Sequence, residues 1–418
     1  MANLEIAPLT LVIGPQASGK SVLSKLIYFC TSLISEYDRF AIEDKLSFDI
    51  FEKKVALLFT EWFPISAWGN KKFSIQFELG SFGMKINRVS KSEKVKISFC
   101  DDFKVFYKEI HEQYLSALKI METQERKRAE ISDFELTMRF RAIASSSLRK
   151  WLGKNIVERQ LFVPAGRSFF TSVGKALVAF EHSGILDPIT LEFGRRFSSI
   201  RERQFRRPVP DHLVSSPAGI LFSEILGGRP KTEGGREFIQ ATDGRLIPLS
   251  ALSSGQQELL PLALTIRALL PGPAVGSASG PVFSLPRYTI YIEEPEAHLF
   301  PHAQNRLVEV LASLVTRRRQ NHLLLTTHSP YVLAKFNNLI KAGSLSSKTK
   351  NTQNRELAKI LPESSWLQPK SVNAYAIIDG NLTNIMGSSG LIEADYLDDV
   401  SGDIAREFTQ ILEIGTKQ

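Results

Sequence analysis

The chain of 418 residues predicts an α/β fold with a mixed sheet, an antiparallel β lobe and a helical insert, and three observations carry the α/β part. An apolar run, LTLVI at residues 9–13, reads as a buried strand, passes through a loop bounded by glycines and enters a helix-like stretch, KSVLSKLIYF. A second β-rich run, YTIYI, stops on two adjacent acids, Glu293 and Glu294. A third, LLLTT, stops on His328.

The first loop, GPQASGKS, meets the G-x-x-x-x-G-K-S/T pattern at every fixed position, in the strand-to-helix context that the pattern requires. It predicts a triphosphate site made by Gly14, Pro15, Gln16, Ala17, Ser18, Gly19, Lys20 and Ser21. Glycines at 14 and 19 let backbone N–H groups turn inward around phosphate oxygens without a Cβ in the way, and a helix N-terminus adds partial positive charge. Lys20 would neutralise the β- and γ-phosphates, and the Ser21 hydroxyl would coordinate magnesium. ATP and Mg2+ are therefore the expected ligands.

The second element is Leu252-Ser253-Ser254-Gly255-Gln256-Gln257-Glu258, followed by an apolar run that suits a buried helix. This string resembles the signature motif of the ABC-type ATPases, LSGGQ in its usual form, with Ser254 in place of the first glycine. EEPEAHL then resembles a Walker B strand end, and TTHSP the switch-histidine segment. Taken together they resemble the RecF, SMC and OLD-like branch of that superfamily, over residues 1–40 and about 155–335.

The resemblance implies an ABC-ATPase head, a P-loop fold, whose active site is divided between two copies. Ser253, Ser254, Gly255 and Gln256 of one subunit would face the γ-phosphate held by the other. Glu293, longer than the family's usual Asp, would reach the magnesium shell through water. Glu294 is the expected base that orients and polarises water, and His328 the γ-phosphate contact, with Lys20 as the third catalytic group. Glu296, Ala297 and His298 fall where the family has its D-loop, along the seam of the pair.

The family's metal-linking glutamine has one candidate, Gln160, which precedes its strand rather than following it. Arg167, in VPAGRS, stands where the OLD-like branch carries a positive residue. It would approach phosphate or the lobe interface, or lie on the surface.

Residues 41–154 form the expected insert lobe, and 1–40 with 155–418 the discontinuous head. Within the insert, FSIQFELGSFGMKINRV and EKVKISF alternate apolar and polar residues around an LGSFG turn, which predicts antiparallel strands. Residues 103–130 and 132–152 read as helices too short for a long coiled coil. LPGPAVGSASGP, residues 270–281, is a Pro/Gly/Ser linker. NAYAIIDGNLTNIM predicts two strands around Asp-Gly, and DIAREFTQILEI a terminal helix.

Hydrophobic residues make up 43% and charged ones 23%, which places the chain among ordinary folded proteins and not among disordered ones. No apolar run reaches a membrane span and no leader pattern opens the sequence, so a cytoplasmic protein without a membrane partner is expected. Two cysteines, Cys30 and Cys100, are too few for a disulfide scaffold or a zinc site, and are expected reduced and buried.

The net charge of +8 concentrates in GRRFSSIRERQFRR. Arg195, Arg196, Arg201, Arg203, Arg206 and Arg207 there offer a footprint for nucleic acid, with Phe197 and Phe205 packed beneath or stacked on bases; a solvated helical face or an acidic-protein patch is the other reading of the same run. Arg317, Arg318 and Arg319 end a helix, where cations complement the dipole. Larger OLD-type enzymes carry a TOPRIM nuclease domain near the end; its Asp-x-Asp pair is missing, since Asp395, Asp398, Asp399 and Asp403 are spaced differently, and no nuclease is expected in this polypeptide. The function expected from the resemblance is an ATPase that pairs around ATP and regulates a separate effector, a nuclease or toxin, in antiviral defence. The alternative is a RecF-like DNA-repair ATPase.

Overall fold

The computed structural model describes residues 2–125, 132–173, 185–206, 216–270, 286–316, 321–347, 351–393 and 406–411. The chain opens with β1 (Leu9–Ile13) and α1 (Lys20–Ser35), then α2 (Phe48–Trp62), β2 (Phe73–Leu79), β3 (Phe82–Arg88), β4 (Val95–Phe99), α3 (Asp101–Glu125) and α4 (Asp133–Leu152). There follow β5 (Arg159–Val163), α5 (Ser168–Val173), α6 (Pro188–Arg206), the single turn α7 (Pro217–Ile220), β6 (Gly228–Glu233), β7 (Arg236–Ala241), β8 (Leu246–Pro248) and α8 (Ser254–Leu269). The last group is β9 (Tyr288–Glu293), α9 (Pro301–Thr316), β10 (His322–Thr327), α10 (Pro330–Ser346), α11 (Asn351–Ile360), β11 (Val372–Ile378) and β12 (Asn381–Asn384).

The main sheet runs β12-β11-β1-β10-β9-β5, parallel except for β12, which pairs antiparallel with β11 across the Asp-Gly turn. It is therefore mixed, as the sequence predicts. All five residues of β1 are buried, because helices cover both faces of a parallel strand, and this is why LTLVI shows no alternation. Register decides where the motifs meet. Ile13 lies opposite Thr327, and Thr326 opposite Glu293, so the phosphate loop, His328 and Glu294 all leave the sheet along one edge.

The predicted antiparallel lobe is β2-β3-β4, with Phe82, Met84 and Ile86 turned inward and Lys85 outward. A further three-stranded sheet, β6-β7-β8, was not anticipated; its hairpin turns on Gly234 and Gly235, both at positive φ. Apolar packing falls into one large cluster around the main sheet, a small one in which Tyr28 of α1 meets Phe162 and Tyr291, and an aromatic one in the insert. The last gathers Phe51, Phe99, Phe103 and Tyr107 with residues from Phe29 to Ile156, so the later turns of α1 belong to it as well. Phe51 stacks on Tyr107 at 4.8 Å between ring centroids.

Cys30 is buried, but Cys100 is only partly so: its Sγ sits at the strand end beside the Gly83 N–H, which corrects the expectation that both are enclosed. The 270–281 linker (apart from Leu270), the string at 126–131, Arg207, Arg317, Arg318, Arg319, Asp395, Asp398, Asp399 and Asp403 lie outside the described residues. Residues 406–411 of the expected terminal helix are helical. Among the described residues no helix is long and apolar enough to cross a membrane.

Candidate functional site

The phosphate loop is shaped for an anion. Gly14 has no room for a side chain, since a Cβ there would lie 2.6 Å from the Ile377 carbonyl oxygen and 2.9 Å from Ser18 Oγ. Ala17 and Gly19 hold left-handed backbone, with φ of 59° and 100°. Helix α1 begins at Lys20 with no side-chain cap, leaving the N–H groups of its first turn without intrahelical acceptors. Ser18 Oγ is buried and has no hydrogen-bond partner among the described residues. Unpaired donors, an uncapped helix N-terminus and a lysine gathered at the end of β1 fit a triphosphate.

Lys20 is 5% exposed, and its Nζ donates to the Gly14 and Pro15 carbonyls, each at 2.8 Å. Burial lowers its pKa, against the opposing pull of Glu294, Glu296 and Glu293. The ammonium thus folds back on its own loop.

Glu293, at the end of β9, is buried and held from two sides: Ser24 Oγ donates to Oε1 and the Ala165 N–H to Oε2, both at 3.2 Å. Ser24 Oγ is also 3.0 Å from the Ser21 carbonyl, which brings Glu293 beside the helical turn that bears Ser21. These are the two residues assigned to magnesium, and a carboxylate with a hydroxyl suits a hard cation.

Glu294 adopts a left-handed φ of 42°, pinned by its N–H to the Thr326 carbonyl at 2.9 Å. Such backbone is costly for a glutamate and turns the side chain out of the sheet. Its Oε1 meets His328 Nε2 at 2.9 Å; with the carboxylate ionised, Nε2 is the donor. The sequence assigned these two side chains separate roles, and the structure joins them. It also gives Glu296 a part the sequence did not reveal. Glu296 Oε1 accepts from Thr327 Oγ1 at 2.6 Å and from the His328 N–H at 2.9 Å, which fixes the backbone on which the histidine rides.

The signature segment forms the N-terminus of α8. Ser253 caps it through the Gln256 N–H, while Gln256 Oε1 accepts from the Ser253 N–H and Oγ, a reciprocal capping box. Gln256 Nε2 reaches the Leu226 carbonyl at 2.8 Å. Ser253 and Ser254 stay exposed, and among the described residues no hydrogen bond joins this segment to residues 14–21.

Three expectations are corrected. Arg167 neither reaches a phosphate nor lies on the surface: it is 0% exposed, its guanidinium spent on backbone carbonyls and on Glu258. Gln160 is buried near the far end of its strand, where its side chain bonds Ser32 Oγ and Tyr291 Oη, so it does not link metal to a lobe. Phe197 and Phe205 are core residues and cannot stack on bases. Of the arginines around them, Arg196, Arg201 and Arg206 pair with Glu192, Glu237 and Glu202. Arg203, at an exposed position, donates to the Ser199 carbonyl.

Comparison with known proteins adds a family. The family described as "AAA domain, putative AbiEii toxin, Type IV TA system" matches residues 9–334. No curated protein matches the chain. Among solved structures, the SMC head domain from Thermotoga maritima is similar at 12% identity and a TM-score of 0.36, covering 94% of each chain.

Proposed function

This chain belongs to the AAA-domain family described as putative AbiEii toxin, Type IV TA system, and from that premise we propose that it binds and hydrolyses ATP as an ABC-type ATPase. The observation that carries the reading is the convergence, on one sheet edge, of the Lys20 loop with Glu294 in contact with His328. Backbone N–H groups of the loop and Lys20 bind the phosphates. Glu294 orients the attacking water and takes up its proton, and His328 moves from the carboxylate towards the γ-phosphate. Magnesium, held by Ser21 and Glu293, would draw charge from the β- and γ-oxygens.

The exposed Ser253 and Ser254 on an already capped helix support a site completed by a second copy, each supplying the lid for its partner's ATP. Hydrolysis would then loosen the pair, so that the energy of ATP sets an association equilibrium. The family's description names a putative toxin of a Type IV TA system; beyond it, we infer a role in antiviral defence, in which the ATPase senses a trigger and controls a separate effector in the cytoplasm. The RecF-like alternative leans on the arginine segment, three of whose members are already paired.

The test is ATP turnover and mass in solution, with and without ATP, for the wild-type chain, Lys20→Ala and Glu294→Gln. The reading requires ATP-dependent association, loss of ATP binding in the first variant and ATP-bound, slowly hydrolysing pairs in the second. Turnover by Glu294→Gln at the wild-type rate would refute the base assignment. DNA-stimulated turnover with steep salt dependence would instead favour the repair alternative.

A further inference from the structure

Arg167 is fully buried, and so is its partner Glu258 on α8, at 2% exposure. Burial lowers the arginine's pKa, and Glu258 is the strongest influence opposing that shift. The guanidinium donates to the carbonyl of Glu293 at 2.6 Å, of Glu294 at 3.0 Å and of Pro164 at 3.1 Å, and lies 3.3 Å from Glu258 Oε1. The Glu258 carboxylate in turn accepts from the Arg167 and Ser168 N–H groups, each at 2.9 Å. One planar fork thus joins the helix that bears the signature segment to the two consecutive carbonyls at the end of the catalytic strand.

A second contact lies one turn earlier on the same helix. Gly255 packs so tightly on the His298 carbonyl that a Cβ would stand 2.7 Å from its oxygen. Residues 293–298 are therefore tied to α8 at both ends, directly at His298 and through Arg167 at Glu293 and Glu294, and within them Glu294 and His298 both hold left-handed φ. Displacing α8 must alter the backbone that aims the Glu294 carboxylate.

We propose that Arg167, with Glu258, is a positioning residue that makes this chain's own Glu294 respond to what its Ser253–Gly255 segment meets on a second copy. The inference rests on the two-copy reading above. ATP held by the partner presses on the N-terminus of α8; Glu258 and Arg167 carry the displacement to the Glu293 and Glu294 carbonyls; the carboxylate then turns from His328 towards its own site. Each half of the pair thereby hydrolyses only when the other is loaded.

The experiment compares Glu258→Gln and Arg167→Lys with the wild-type chain in steady-state turnover, ATP binding and ATP-dependent association. Both variants are expected to bind ATP and associate as the wild type does, while kcat falls at least about ten-fold at unchanged KM, the scale of a slightly misplaced catalytic group. Unchanged kcat in a folded variant, or a raised KM with kcat intact, would overturn the proposal. A readout independent of mutation is hydrogen exchange in the wild-type chain. The Arg167 and Ser168 amides should respond to ATP only at protein concentrations where pairs form, and the same response in dilute monomer would overturn it. If the wild-type chain neither hydrolyses ATP nor associates with it, the two-copy reading itself has failed, a result distinct from either of these.

Discussion

His328 Nε2 stands 2.9 Å from Glu294 Oε1, so the side chain that follows β10 holds the side chain that follows its neighbour β9. The register of Thr326 opposite Glu293 makes this contact possible, and Glu296 fixes the histidine's backbone from below. In the state described, the proposed base is therefore occupied by a hydrogen-bond donor. It becomes available to water when this contact breaks, and a γ-phosphate is the natural new acceptor for His328.

The two residues should separate in kinetics. Glu294→Gln is expected to lose about a thousand-fold in kcat while binding ATP normally, and His328→Ala about a hundred-fold, within the range for a removed acid–base group or its partner. Single-turnover hydrolysis at saturating ATP measures both.

Two substitutions in the phosphate loop should fail for different reasons. Lys20→Ala removes the charge, its bonds to two carbonyls and a short apolar stem without forcing the backbone, so ATP binding is lost while the unfolding temperature falls only slightly. Gly14→Ala drives a Cβ against the Ile377 carbonyl, and is expected to lose binding and also about 1–3 kcal/mol of stability, the usual cost of overpacking. Nucleotide titration and denaturant unfolding distinguish the two.

How much of this was legible in the sequence depends on how local the cause is. The loop at 14–21, the acids at 293–294 and His328 were readable because each is a contiguous string at a strand end. The contact between Glu294 and His328 depends on strand order, which no string contains. Arg167 was misread because its acceptors come from Pro164, Glu258, Glu293 and Glu294, and only the first is a sequence neighbour. The arginine segment could have been read better: Phe193 and Phe197 are one helical turn apart and mark a buried face, and Glu192 and Glu202 stand four residues before Arg196 and Arg206. The β6-β7-β8 sheet escaped because GRPKTE carries charge on a strand with little apolar alternation.

Stability should carry the signature of Glu36. Burial raises its pKa above the ordinary 4.5, with Glu192 adding to the shift and Arg196 opposing it. The folded chain thus holds this proton more tightly than the unfolded chain does. Its contribution is complete below the ordinary glutamate range and is lost as pH rises through the raised value. Glu36→Gln should therefore unfold at a higher temperature than the wild type at neutral pH and at a similar temperature near pH 4, which melting curves across that interval would show.

Gly255 offers a check on the lid that leaves the cradle alone. In Gly255→Ala the new Cβ meets the His298 carbonyl at 2.7 Å, so α8 must shift. ATP affinity of the single chain should be unchanged, while ATP-dependent association weakens, measurable by sedimentation.

The division of the active site between two molecules is tested most directly by mixing two inactive variants, Lys20→Ala and Ser253→Arg. The mixed pair joins an intact phosphate loop from one chain to an intact signature segment from the other. ATP-dependent association should return on mixing, about half the pairs at equal amounts being mixed and each trapping one ATP at its one whole site. Turnover should reach at most about a quarter of the wild-type rate, and less still where each half waits for the other to load. No recovery on mixing, or full turnover by Ser253→Arg alone, would contradict it.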